Sequence, residues 1–109
     1  MTVYNPDCYV IIRMTHKDKV FYKVLGGWSS SYLYGSSWRL NSGIDKCEYD
    51  IGSDSWLFYG ASGSVYKCHH DSYGLRGSII DIWQQMLDKY PNQVELLEKQ
   101  NWEEKDWSI

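Results

Sequence analysis

A chain of 109 residues, 43% of them hydrophobic, is long enough for one core and too short for two. The net charge of −3 comes without a basic stripe, which argues against nucleic acid as a partner, since neutralising many phosphates takes clustered Lys and Arg. No run of about 18 apolar residues is present, so a membrane-spanning helix is excluded.

The charge is uneven. Residues 1–77 carry eight Lys/Arg and seven Asp/Glu, whereas residues 78–109 carry three and seven. An acidic end can steer towards a basic protein surface, although acidic helix faces are commonly just solvated. The start, M-T-V-Y-N-P-D, has no basic segment followed by an apolar one, so a secretory signal is not expected. Cys8, Cys47 and Cys68 are an odd count, which fits free thiols in a reducing cytosol better than a disulfide framework.

In chain order, the first two-thirds read as strands. The runs 8–14 (C-Y-V-I-I-R-M) and 20–25 (V-F-Y-K-V-L) are β-branched and aromatic, and the polar T-H-K-D-K between them has hairpin length. Further strands are expected at 38–44, 46–51, 56–59 and 64–69, with breaks at G-S-D-S and G-A-S-G. Short, closely spaced strands predict an antiparallel meander of five or six strands over residues 8–69, since parallel crossovers need a dozen residues or more.

After Gly77 the period changes. Ser78 reads as the N-cap of a helix to about residue 90, with Asp81 as its capping-box partner. Ile79, Ile82, Trp83, Met86 and Tyr90 form its apolar face. Beyond Pro91, Asn92 and Glu95 predict a second, shorter helix to about residue 100, followed by an acidic tail, 101–109, helical or loose. The fold class expected is α+β, a single domain with one or two C-terminal helices packed on the sheet.

Chemistry-bearing patterns are few. Cys68 and His70 would share one strand face and His69 the other. A zinc site there would need Cys47 or Cys8 as further ligands, and the spacing matches no usual paired-ligand pattern. A buried structural cysteine beside exposed histidines is the simpler reading, with no metal and no cofactor. A small enzyme using Cys68 or His70 is the alternative, weakened by the distance between those side chains along an extended strand. The glycines of 60–63 lack the following Lys of a phosphate loop and read as a turn.

Six Trp and ten Tyr carry the functional reading. Many fall in the stretch 26–43, G-G-W-S-S-S-Y-L-Y-G-S-S-W-R-L-N-S-G, where small neighbours let rings approach a partner closely. Trp56, Phe58 and Trp83 are expected in the core. Trp28, Tyr32, Tyr34 and Trp38, with Arg39 as a polar anchor, form the candidate contact surface, because Trp, Tyr and Arg dominate interface hot spots. If Arg39 and Lys67 converged near Trp28 and Tyr34, stacking and charge could instead hold a nucleotide. Arg13, Lys23 and Arg76 complete the strand-region cations, which outward-facing sheet residues would also explain.

The run of residues 26–44, with the later S-G-S-V-Y-K-C and Y-G-L, resembles the small orphan proteins carried by large tailed bacteriophages, over about residues 20–76. The resemblance implies a small binding protein acting in the host cytosol on a host or defence protein. It supplies no catalytic residues.

Overall fold

The apolar run Cys8–Ile12 does not alternate with polar residues, and a strand of that kind must be covered on both faces. The computed structural model, which describes residues 2–28 and 37–108, covers it so. The elements are β1 (Val3–Tyr4), β2 (Cys8–His16), β3 (Lys19–Trp28), β4 (Ser37–Leu40), β5 (Ile44–Asp50), β6 (Ser55–Gly60), β7 (Val65–His69), a 3₁₀ turn (His70–Ser72), α1 (Ser78–Lys89) and β8 (Val94–Leu96). They build two four-stranded sheets, ordered β1-β7-β6-β5 and β4-β3-β2-β8.

The second sheet is the middle layer. Tyr9, Ile11, Tyr22 and Val24 face the first sheet and meet Ile44, Cys47, Phe58, Tyr66 and Cys68. Cys8, Val10, Ile12 and Leu25 face the other way, under Ile79 and Trp83 of α1. Strand alternation thus sends one apolar run into two cores. The helix sits close: a Cβ on Gly27 would lie 2.8 Å from Ile79 Cγ2.

The α+β class is as expected, with several corrections. A single meander is replaced by two sheets, because the chain crosses between them after Leu40. At the crossing, Asn41 N donates to Val24 O (3.0 Å) and Asn41 Oδ1 accepts from Val24 N (2.8 Å), a side chain standing in for the next strand residue. β1 pairs parallel with β7, Val3 opposite Val65 and Tyr4 opposite Tyr66.

The second helix does not form. Asn92 adopts φ 65°, outside helical backbone, and Val94–Leu96 pair with Ile12–Met14 as an edge strand. Ser78 is not a cap either. Gly77 holds the N-cap position, and the Ser78 hydroxyl donates to Ser37 O (2.8 Å), tying the helix to β4. Of the expected helix face, Ile79 and Trp83 are buried, while Ile82 and Met86 are half-buried.

The acidic tail is anchored where looseness was an option. Trp102 is fully buried, packed against Phe58, Tyr73 and Trp107. Glu103 Oε2 accepts from Tyr49 N (3.0 Å), and Lys105 lies over the Tyr22 ring at 4.2 Å. Apolar burial of the indole outweighs the tail's charge, whose carboxylates stay in solvent.

Candidate binding surface

β3 and β4 are joined by residues 29–36, so Tyr32 and Tyr34 lie outside the described residues. The remaining expected contact residues flank that connection. Trp28 ends β3, and Trp38 and Arg39 sit in β4, an edge strand whose outer side has no strand partner among the described residues.

Register decides which way each side chain points. Trp38 lies opposite Gly27 and Arg39 opposite Gly26. Trp38 therefore shares the helix-facing side, where it lines a groove with Leu40, Ile82 and Met86 and remains 48% exposed. Arg39 takes the opposite side of β4, and its guanidinium carbon lies 4.5 Å above the Tyr4 ring. Tyr4 in turn meets Trp28 edge-on at 6.3 Å and Tyr66 at 5.1 Å. Trp28 and Arg39 are thus gathered around Tyr4, while Trp38 stands on the other side of the same edge strand. A shallow cleft lined by Tyr4, Trp28, Ser37, Trp38 and Arg39 connects the two sides.

A second cleft of about 380 Å³ adjoins it, between Arg39 and the turn after β6. Lys23, Asn41, Ser42, Ser62, Ser64 and Tyr66 line it together with Tyr4, Arg39 and Leu40, and no carboxylate is among them. Lys67, whose convergence with Arg39 the nucleotide alternative would need, is not among these residues. Its neighbour Tyr66 is, because adjacent strand residues face opposite ways. Burial pushes the Tyr66 hydroxyl up to about 12, against the pull of the Arg39 charge, so it remains a neutral donor.

The Cys68–His70 pairing is not formed. β7 stops at His69, and the 3₁₀ turn carries His70 away from the strand. Cys68 is fully buried between the sheets, and burial pushes its thiol well above the ordinary range, which disfavours the nucleophilic thiolate. His70 Nδ1 lies 3.0 Å from Asp54 O, and Nε2 lies 3.1 Å from Asp71 Oδ1. Among the described residues, His69, His70 and Asp71 are the group whose ligand atoms come within 4.8 Å of one another. Neither Cys8 nor Cys47 joins them; both are buried in the cores.

Trp56, expected in the core, is only half-buried. It meets Tyr49 edge-on at 4.7 Å and lines an open cleft with His70, Lys99 and Glu103. Phe58 and Trp83 are buried as expected.

Tyr4, Lys23, Asn41 and Tyr66 were missed as site residues. Lys23 and Tyr66 lie in readable strands, but the contact that recruits them depends on a two-residue parallel strand pairing with a segment about sixty residues away.

No helix among the described residues is long and apolar enough to cross a membrane. Comparison with protein-family models, with curated proteins and with solved structures gives no match.

Proposed function

We propose that this chain is a small non-catalytic binding protein that inhibits or redirects a host or defence protein through the end of the molecule formed by β3 and β4. One observation carries the reading: β4, at the sheet edge among the described residues, presents Trp38 on one side and Arg39 on the other, beside Trp28 and Tyr4. A half-exposed indole and a ring-supported guanidinium are the side chains that anchor interfaces, and an open edge adds backbone donors and acceptors to the contact. The phage-type resemblance supplies the class of partner.

The test compares wild type with Trp38→Ala in affinity capture from host lysate, with melting temperature as the folding control. Truncating a hot-spot aromatic is expected to weaken capture by about 2 kcal/mol or more. Truncating a half-exposed side chain should leave the fold largely stable. Equal capture by wild type and variant, with both folded, would refute the contact role.

A second reading, capture of a nucleotide by the same end of the molecule, is supported by the position of Arg39, which lines both clefts.

A further inference from the structure

We propose that the cleft beneath Arg39 binds the phosphate group of a small phosphorylated ligand; this rests on the ligand-binding reading and leaves the protein-contact reading independent. Arg39 brings a cation to the cleft, Lys23 borders it from the helix-facing side of β3, and none of the residues that line it is acidic. Arg39 is held over Tyr4, which steadies the guanidinium at the cleft mouth.

Asn41 is 5% exposed, and its orientation is fixed because Oδ1 accepts from Val24 N. Its Nδ2 group has no hydrogen-bond partner among the described residues. A buried amide donor left unpaired costs about 1–3 kcal/mol, so the uncompensated positive end of this amide under the cleft floor favours an anion above it.

The serines follow the same logic. Ser42 Oγ accepts from Ser62 N and donates to Ser62 Oγ, both at 3.0 Å. Ser62 Oγ is therefore already an acceptor, and its own proton is free to donate. The neutral Tyr66 hydroxyl adds another donor at the wall.

A donor-rich, cationic concavity fits a group that only accepts. Phosphate answers better than carboxylate, because its larger charge and additional oxygens can engage the Arg39 guanidinium and the hydroxyls that line the cleft together. Arg39 also lines the neighbouring cleft with Trp28 and Trp38, so an aromatic group attached to the phosphate has indoles within reach.

The experiment is a calorimetric titration of the full chain with AMP, adenosine and inorganic phosphate at low salt. AMP is expected to bind at least about tenfold more tightly than adenosine, since only AMP carries the charge. Competition of AMP by inorganic phosphate at similar concentration would show that phosphate alone is sufficient. Much tighter binding of AMP than of inorganic phosphate would show that the indoles contribute. Asn41→Asp preserves the acceptor for Val24 N but replaces the free donor by a carboxylate, and should abolish AMP binding. If that variant does not fold, Arg39→Gln at the surface decides, with a loss of at least about tenfold expected. The proposal is overturned if wild type binds neither AMP nor phosphate at millimolar concentration, if adenosine binds as tightly as AMP, or if the folded variants bind unchanged. Failure here together with capture sensitive to Trp38→Ala would remove the phosphate site and leave the protein contact standing.

Discussion

Trp102→Ala is the substitution that asks most of this fold. The indole is fully buried between Phe58 (6.3 Å between ring centroids), Tyr73 (5.5 Å) and Trp107 (6.0 Å). Losing a buried aromatic costs about 3–5 kcal/mol through lost transfer energy and the cavity left behind. The upper part of that range applies, because Trp107 would lose its stacking partner. Nothing is recovered from hydrogen bonding. Burial strongly disfavours ionisation of the neighbouring Tyr9 hydroxyl, and neither that hydroxyl nor the Trp102 indole N–H has a hydrogen-bond partner meeting normal geometry among the described residues. Urea unfolding should show a midpoint shift equivalent to about 4 kcal/mol, a large fraction of the stability of a domain this size. Deleting residues 101–109 should cost at least as much. A loss below about 1 kcal/mol in both proteins would refute the reasoning and mean that the tail is not docked on the inter-sheet core.

Three further outcomes follow from the same packing. Gly27→Ala places a Cβ 2.8 Å from Ile79 Cγ2 and 3.2 Å from Cys8 Sγ. Overpacking of this kind should lower stability by about 1–3 kcal/mol in chemical denaturation, and an unchanged midpoint would mean that α1 is not seated on β3. The three cysteines are free and buried, so Ellman titration should find three thiols in denaturant and almost none in the folded protein; one thiol in non-reducing denaturant would reveal a bridge. Burial, with help from Glu103 and Glu48, pushes Cys47 up to about 12, and burial is the main cause that pushes Tyr66 and Tyr73 up to about 12. These groups ionise first in the unfolded chain, at about 8.5 for Cys and 10 for Tyr, so their stabilisation is complete below that range. It is lost as pH rises through about 12. Melting temperature should therefore fall steadily above about pH 8.5, and a flat profile to pH 11 would contradict the assigned burial.

The strands were legible where local chemistry was sufficient. The hairpin of β2 and β3 has its turn at Lys17 and Asp18, both at positive φ, inside the T-H-K-D-K segment that composition marks as a link. The apolar face of α1 was legible from its period. What could not be read depended on distant partners. Val94–Leu96 carries the same residues in a helix or a strand, and the free edge of β2 decides for strand. Cys8–Ile12 is apolar without alternation, which declares burial on both faces but not what covers them. Trp102 sits among Asn, Glu and Lys, and its burial depends on a pocket assembled from Phe58 and Tyr73. At the binding surface, Trp28, Trp38 and Arg39 were visible as residue types, but their division between the two sides of β4 follows from register with Gly26 and Gly27. Tyr4, which organises Arg39 and Trp28, was hidden by the shortness of β1.

Amide hydrogen exchange, measured on the free chain and on the chain bound to AMP or to its captured partner, tests most directly where the molecule makes contact. Slowed exchange is expected in the C-terminal part of β3, in β4 and at Asn41 and Ser42, where Arg39 joins the edge strand to the cleft. Protection confined instead to the Tyr49, Trp56 and His70 cleft, with β4 unchanged, would contradict it.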